Sequence, residues 1–250
     1  MDDFRDATCL VTGAGSGIGK AVSEVLIERG ARVLANDLSA ERVGDLVDRG
    51  ATAAPGDVSD PDTIAELAAT AKDAGVTHLV NAAGIIELRP IPDVDREMYD
   101  RVFDVNTKSL FFLSQAICPL LPQGGSVVNV SSTSAKTATT LEVVVYAATK
   151  AAVLSMTRSF AFQYAAGGVR VNAVCPGIID TPMQDKVIED IAAQQGVSAQ
   201  ELSDKRNSTV PLGRPGSPHE CAEVMAFLLS DAASYMTGQA VNISGGQVTW

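Results

Sequence analysis

Two side chains able to exchange protons stand four positions apart in the segment YAATK, namely Tyr146 and Lys150. On a helix this spacing places both on one face. An ammonium beside a phenol favours the phenolate, so we expect Lys150 to lower the pKa of Tyr146. A phenol tuned in this way can donate a proton to a carbonyl oxygen or accept one from an alcohol. In isolation, however, a tyrosine and a lysine at this spacing are a common surface pair.

A glycine-rich segment, TGAGSGIG at 12–19, joins the first apolar run to the first amphipathic stretch. The loop therefore precedes a helix whose bare backbone amides carry the positive end of the helix dipole, which suits a pyrophosphate. The glycines follow the pattern GxxxGxG rather than the commoner GxGxxG, so the motif alone is a moderate signal. The alternative is a tight glycine turn without a ligand.

Asp37 ends the second apolar run, 18 positions past Gly19. A carboxylate at this place accepts hydrogen bonds from an adenosine ribose and repels a 2′-phosphate. The neighbouring positions Ser16, Asn36 and Leu38 supply no compensating cation. This combination favours NAD over NADP.

The elements that must position these residues are short, β-branched runs that are apolar on both faces, which is typical of buried parallel strands. We expect strands at 7–12, 31–37, 76–84, 126–132, 169–177 and 239–246. Stretches with helical periodicity separate them, so the chain predicts a doubly wound α/β fold with helices on both faces of a parallel sheet. Ligands of such sheets bind beyond the carboxyl ends of the strands.

Two helix starts carry specific signals. Asp60 before Pro61 suits an N-cap followed by proline, and Ser217 with Glu220 has the spacing of a capping box. The polar segment 181–212 breaks the alternation of strands and helices. We predict that it forms a mobile lid over the site, with an exposed helical excursion lacking any catalytic duty as the alternative.

The composition excludes several classes of function. Lys and Arg number 19 against 30 Asp and Glu, a net charge of −11, so the chain should bind neither nucleic acid nor an anionic membrane. Neither a secretory leader nor a membrane span is recognisable, and we expect a cytoplasmic protein. The four cysteines and two histidines are dispersed, which predicts neither a metal site nor disulfides.

These motifs occur in an order that resembles the short-chain dehydrogenase/reductase family over essentially the whole chain. The order is TGAGSGIG at 12–19, Asp57-Val58, NAAG at 81–84, Asn106 in VNTKSLFF, SS at 131–132, YAATK at 146–150 and PGIIDT at 176–181. The resemblance implies one Rossmann-type domain over 1–250, a nicotinamide dinucleotide and a homotetramer.

The resemblance also implies the roles of individual residues. Asn106, Ser132, Tyr146 and Lys150 would be catalytic, with Asn106 holding a water that links Lys150 to solvent. On its own, Asn106 is more simply explained as a helix residue hydrogen-bonded to backbone. The cofactor-binding set would be Gly13, Ser16, Gly17, Ile18, Gly19, Asp37, Asp57, Val58, Asn81, Ala82, Ala83, Gly84, Tyr146, Lys150, Pro176, Gly177, Ile179 and Thr181.

The serine departs from the family pattern, which places it 13 positions before the tyrosine, where this chain has Thr133. A one-residue insertion within 133–145 keeps Ser132 in the role. Strand alternation puts Ser132 and Ser134 on one side and Thr133 on the other, which favours the serines. Ser132 lies nearer the rigid strand end and is preferred. The roles of Lys136 and Glu142 in the substrate-side loop stay open.

Together, these residues and the family resemblance predict an enzyme that uses NAD to interconvert a secondary alcohol and its ketone. The C-terminal VNISGGQVTW resembles polyol and sugar-phosphate members of the family, which favours a polyol or sugar-derived substrate. One alternative is an NADP-dependent carbonyl or 3-oxoacyl reductase, which Asp37 disfavours. Another is a non-catalytic dinucleotide sensor, which the intact pair of Tyr146 and Lys150 disfavours.

Overall fold

A computed structural model of the chain describes residues 4–138 and 141–250. Its centre is a seven-stranded sheet with the order β3-β2-β1-β4-β5-β6-β7, in which all neighbouring strands run parallel. The strands are β1 Thr8–Thr12, β2 Arg32–Asn36, β3 Thr52–Ala53, β4 His78–Asn81, β5 Ser126–Val130, β6 Arg170–Pro176 and β7 Ala240–Ile243. The six predicted strands are confirmed, each within its predicted limits. The short β3 was missed because two residues show no periodicity.

Helices cover both faces of this sheet. They are α1 Gly17–Glu28, α2 Gly44–Asp48, α3 Pro61–Ala74, α4 Arg96–Phe103, α5 Ser109–Ile117, α6 Val144–Tyr164, α7 Pro182–Gln195, α8 Ala199–Asn207 and α9 Pro218–Leu229. The expected doubly wound α/β architecture is therefore confirmed.

Each face of the sheet has its own apolar core. On one face Leu26 of α1 packs in a cluster with Met225 of α9. On the other, Leu67 of α3 and Leu113 of α5 pack against Leu79 of β4. Burying each of these side chains contributes about 1.5–3 kcal/mol, so both helical layers are firmly attached to the sheet.

The predicted helix starts are present. The Asp60 side chain accepts a hydrogen bond from the amide of Asp62 at the start of α3. Ser217 and Glu220 form the reciprocal capping box of α9. These caps satisfy amides that would otherwise lack partners, and they fix where the chain leaves each loop.

The strand order reverses direction between β1 and β4, which pair with Thr12 opposite Asn81. The chain leaves both strands at the same edge of the sheet. There the Thr12 hydroxyl accepts hydrogen bonds from the amides of Ala82 and Ala83, each at 3.2 Å. The crevice at this reversal is where ligands of doubly wound sheets bind.

The segment 181–212 consists largely of α7 and α8, which pack on each other through Val187, Ile191 and Leu202. Thr181 caps α7, and Ser198 with Glu201 forms a second capping box for α8. Within the described residues, no helix is both long enough and apolar enough to cross a bilayer.

Candidate active site

The glycine loop forms a tight cradle against the ends of β1 and β4. A Cβ on Gly13, at φ 66°, would lie 2.8 Å from the backbone nitrogen of Ala83, and one on Gly19 would lie 2.1 Å from the Gly13 carbonyl oxygen. Only glycine permits these approaches. Ser16, the N-cap of α1, makes no side-chain cap hydrogen bond, so the first amides of that helix remain available. The cradle therefore fits a dinucleotide phosphate.

The cradle opens into one large cavity of about 1110 Å³, which we call the central cavity. Its wall runs from Asp37 at one end, past the cradle and Tyr146, to the inner side of α7 and α8. Every predicted cofactor-binding residue except Asn81 lines it, and so does Ser132. The fold thus brings together residues that lie more than 160 positions apart in the sequence.

Asn81 and Asn106 do not line the central cavity. The Asn81 side-chain amide donates to the side chains of Ser114 and Asn129, so it holds β4 to its neighbours. Its predicted contact with the cofactor stays a prediction. The two hydrogen bonds of this amide belong to a cluster of buried polar side chains that satisfy one another.

Asn106 lies in a single π-helical turn, Asp104–Lys108, between α4 and α5. Its side chain accepts from the Ile85 amide at 2.8 Å and donates to the Ile85 carbonyl at 2.9 Å. The regular α-helix is therefore interrupted at Asn106. Asn106 and Lys150 both approach Gly84 closely, since a Cβ there would be 3.3 Å from both Asn106 Oδ1 and Lys150 Nζ, which is tighter than an ordinary contact.

Asp37 is almost fully buried at the end of β2, and its carboxylate is held by three donors. It accepts from the amides of Gly15 and Leu38, each at 2.9 Å, and forms an ion pair with Nε of Arg42. The immediate sequence neighbours of the acid include no cation, and Arg42, five positions further along, was not predicted to contact it. The short helical turn Ala40–Val43 after β2 brings that guanidinium back onto the carboxylate.

Tyr146 and Lys150 share one face of α6, as predicted. Lys150 Nζ lies 5.6 Å from the centre of the Tyr146 ring and donates to the Val130 carbonyl at 2.9 Å. Ser132 forms a side-chain hydrogen bond with Tyr146. Three groups able to hold or move a proton therefore meet where β5 ends.

The pKa of Tyr146 is not lowered, contrary to the expectation. Burial raises it above its ordinary value, and the hydrogen bond with Ser132 opposes this rise only in part. Burial also lowers the pKa of Lys150 to about 8. The expectation considered the attraction of the ammonium and omitted the desolvation of both groups.

The hydroxyl cluster after β5 is arranged differently from the predicted strand continuation. The strand ends at Val130, and Thr133–Ala135 form a helical turn that Ser132 caps by accepting from the Ser134 amide at 3.1 Å. The alternation argument that grouped Ser134 with Ser132 was therefore wrong. Ser132 is buried, whereas Thr133 and Ser134 are partly exposed.

In the substrate-side loop, Thr137 and Val143 line the central cavity, whereas Lys136 and Glu142 do not. Lys136 Nζ donates to the Asn242 side chain and to the Trp250 carbonyl, so it fastens the C-terminal segment. The Glu142 carbonyl accepts from the Arg89 amide at 2.9 Å. Positions 139–140, within the region of the predicted insertion at 133–145, lie outside the described residues.

Comparison with known proteins identifies the family. The family model for enoyl-(acyl carrier protein) reductase matches residues 13–247. The 3-oxoacyl-[acyl-carrier-protein] reductase FabG of Thermotoga maritima is 39% identical over 251 residues, covering 96% of this chain and 97% of that protein. The chain belongs to the short-chain dehydrogenase/reductase family.

Two other proteins similar to this short-chain dehydrogenase/reductase have names that indicate different substrates. A sorbitol dehydrogenase of Cereibacter sphaeroides is 33% identical over 247 residues, covering 96% of each chain. A variant of the actinorhodin polyketide ketoreductase with NADPH superposes with a TM-score of 0.92 at 31% identity, covering 100% of this chain and 99% of that one. The chain is therefore an oxidoreductase.

Ser132→Ala in this short-chain dehydrogenase/reductase should lower kcat by about a hundredfold or more. The loss of an aligned donor to developing negative charge costs roughly 2.7–4 kcal/mol. Thr133→Ala and Ser134→Ala are matched controls and should change kcat by less than about fivefold, because the alanine removes a hydroxyl that does not contact Tyr146. The measurement is kcat at saturating cofactor, with folding checked by thermal melting. If Thr133→Ala lowers kcat strongly and Ser132→Ala leaves it unchanged, the assignment of Ser132 as the donor is contradicted.

Lys150→Met should stabilise the folded protein while it inactivates the enzyme. The ammonium is 4% exposed, and the fall in pKa from 10.5 to about 8 corresponds to a folding penalty of about 3 kcal/mol at pH 7. The lost hydrogen bond to Val130 offsets about 1 kcal/mol, which leaves a net gain of about 2 kcal/mol.

The pH dependence of this gain tests its cause. The unfolded lysine binds a proton up to a higher pH than the folded one, so the stability of the unmutated protein rises between about pH 8 and pH 10.5. The advantage of Lys150→Met should narrow over that range in urea titrations followed by circular dichroism. Lys108→Met, at an exposed lysine paired with Asp104, should show no such pH dependence. An advantage that is independent of pH would refute the desolvation argument.

Proposed function

We propose that this protein is a NAD-dependent oxidoreductase that transfers a hydride between the nicotinamide ring and a secondary alcohol or ketone. The observation that carries the proposal is the meeting of Tyr146, Ser132 and Lys150 on the wall of the cavity into which the glycine cradle opens. A dinucleotide held by the cradle would extend along that wall toward these groups. The nicotinamide supplies the hydride chemistry when bound.

Each polar group has a distinct task in this proposal. Ser132 donates a hydrogen bond to the substrate oxygen, and Tyr146 exchanges a proton with that same oxygen. Lys150, whose Nζ lies 5.6 Å from the centre of the Tyr146 ring, is the second member of the proton-exchanging pair. Asn106 Oδ1 and Lys150 Nζ both lie close to Gly84, and this proximity supports a relay that passes the proton onward. Pro176, Gly177, Ile179 and Thr181 would hold the nicotinamide end.

The preference for NAD rests on Asp37. Its carboxylate lies next to Gly15 in the part of the cavity where an adenosine ribose would bind, and it accepts three hydrogen bonds that hold it in place. A 2′-phosphate would meet this negative charge at close range. The similarity to a sorbitol dehydrogenase supports the polyol or sugar-derived substrate.

An NADP-dependent carbonyl or 3-oxoacyl reductase is the second candidate. Arg42 favours it, since a guanidinium next to the ribose site is a suitable partner for a phosphate. The similarity to FabG and to the ketoreductase with NADPH favours it as well. We prefer NAD because Asp37 already neutralises Arg42 and is much more deeply buried, with 8% of its side chain exposed against 50%.

The experiment is a turnover screen of secondary alcohols, polyols and sugars with NAD and NADP, followed through reduced cofactor. We expect kcat/KM to favour NAD by at least about tenfold, equivalent to about 1.4 kcal/mol. Equal or better use of NADP would favour the second candidate. Cofactor binding without turnover of any substrate would instead support the non-catalytic sensor.

The wider organisation forms part of the proposal. We infer a single domain over 1–250, a lid at 181–212 and a cytoplasmic homotetramer, as the family resemblance implies. Phe112 on α5 and Phe162 on α6 are exposed, the latter at 91%, and such aromatic side chains favour contact with another subunit. Light scattering coupled to size exclusion measures the assembly, and a monomer at micromolar concentration would contradict it.

A further inference from the structure

Arg206 on α8 faces the central cavity without a partner for its charge. Its Nε atom is buried and has no hydrogen-bond acceptor, and the side chain forms no ion pair within the described residues. Burial lowers the pKa of the guanidinium, and no nearby carboxylate opposes this. A partly desolvated cation without a counter-charge is costly, which favours binding of an anionic group at this place.

The buried arginine of the sheet shows how this fold otherwise satisfies such a group. Arg170 donates to the carbonyls of Leu228, Leu229 and Ser230, which lie at the end of α9. The carbonyls at a helix C-terminus are suitable acceptors for a guanidinium. Arg206 has no equivalent set of acceptors, although the chain has 30 acidic residues that could have supplied one.

A second unpartnered donor lines the same cavity from the neighbouring helix. Nε2 of Gln184 on α7 is buried and makes no hydrogen bond to any of the residues that the structure describes. The two helices pack through Val187 and Leu202, which also line the cavity. A guanidinium and an amide that both lack acceptors suit a ligand with anionic oxygens, and a carboxylate matches the planar fork of arginine.

We propose that Arg206, assisted by Gln184, binds the carboxylate of a hydroxy-acid or keto-acid substrate whose reacting carbon lies at Tyr146. The inference rests on the proposed function and names the substrate class of that same cavity. The diphosphate of the dinucleotide also carries anionic oxygens, but the amides of the glycine cradle already provide for that group. The apolar stretch contributed by Ile86, Val187 and Leu202 would contact the carbon chain between the two ends of the substrate.

The test compares acids with uncharged counterparts of the same skeleton. For oxidation, the acids are 3-hydroxybutyrate and D-gluconate, and their uncharged counterparts are ethyl 3-hydroxybutyrate and D-sorbitol. For reduction, acetoacetate is compared with ethyl acetoacetate. In any pair that the enzyme converts, we expect kcat/KM to be higher for the acid than for the uncharged compound. Arg206→Gln should lower kcat/KM for that acid about 10- to 100-fold, the loss expected for a charge-assisted hydrogen bond, and change the uncharged partner by less than about threefold. Arg206→Lys should recover part of the selectivity.

Lys186→Gln is the matched control, because it removes the same charge from an exposed position on the lid helix α7. It should leave the selectivity unchanged, which excludes a long-range effect of net charge. Calorimetry measures the affinity of the enzyme–NADH complex for 3-hydroxybutyrate and for its ester. This comparison of affinities does not depend on turnover. The proposal is overturned if the acid has no advantage over its uncharged partner in either measurement.

Calorimetry with the dinucleotide alone separates the possible failures. Arg206→Gln should bind NADH as tightly as the unmutated protein, within about threefold. A tenfold loss of NADH affinity with unchanged acid selectivity would assign Arg206 to the cofactor and overturn the carboxylate site. If the unmutated protein binds neither NADH nor NADPH, the proposed function itself fails. If it oxidises uncharged alcohols without preferring acids, only the carboxylate inference fails.

Discussion

Tyr146→Phe is expected to lower kcat by up to about 10⁴-fold, because general acid–base catalysis contributes about 10²- to 10⁴-fold and no other side chain at the end of β5 can replace the phenol. The substitution removes one oxygen from a buried ring and leaves the glycine cradle and Asp37 untouched. Binding of the dinucleotide should therefore stay within about threefold of the unmutated protein. Steady-state kinetics and calorimetry measure the two quantities separately.

Tyr164→Phe is the matched control, since it removes the same hydroxyl from the other end of α6, where the ring stacks on Phe160. It should retain most of the activity. If Tyr146→Phe keeps most of its rate, the phenol is not the acid–base group and the protein would have to use another residue or act as a sensor.

The pH profile of the unmutated enzyme tests the same pair of groups. Oxidation of an alcohol requires the pair of Tyr146 and Lys150 to have lost a proton, so kcat/KM for oxidation should rise with pH. We expect the rise at an apparent pKa near that of Lys150, about 8, and the value belongs to the coupled pair rather than to one residue. Reduction requires the protonated pair and should fall over the same range. A profile that is flat between pH 7 and pH 9 would exclude this coupling.

Asp37→Ser is expected to reverse the cofactor preference. The substitution removes the negative charge that opposes a 2′-phosphate and releases Arg42 from its ion pair, so the guanidinium becomes available to that phosphate. The ratio of kcat/KM for NAD to that for NADP should fall by at least about a hundredfold, which corresponds to about 2.7 kcal/mol. Kinetics with both cofactors at a fixed substrate concentration measure the ratio.

Arg42→Gln and the double substitution complete the cycle. Arg42→Gln alone should retain the preference for NAD, because Asp37 is still present. Asp37→Ser combined with Arg42→Gln should lose most of the gain in NADP use, and the difference measures the coupling between the guanidinium and the phosphate. If Asp37→Ser increases the use of NADP equally with and without Arg42, then repulsion by Asp37 alone had set the preference for NAD.

Much of the framework follows from local sequence. The strands were predictable because parallel strands buried on both faces need continuous apolar runs. The starts of α3 and α9 were predictable from Asp60 and Ser217, whose side chains bond to amides within three residues. The glycine cradle and the spacing of Tyr146 and Lys150 likewise depend on neighbouring residues or on one helical turn.

The properties of the site depend on groups that are distant in the chain. Burial by the whole fold raises the pKa of Tyr146 and lowers that of Lys150, whereas the spacing of the two residues predicts only their attraction. The turn after β2 decides that Arg42 meets Asp37, and a second turn after β5 decides which hydroxyl meets Tyr146.

The sequence by itself determined the doubly wound α/β class, the phosphate cradle and the proton-exchanging pair, because periodicity, capping and helical spacing are short-range properties. Tertiary structure alone decided that Asn81 serves the sheet and that Arg206 and Gln184 face the central cavity without partners. The physical reason is that hydrogen-bond satisfaction and desolvation depend on every element packed around a group.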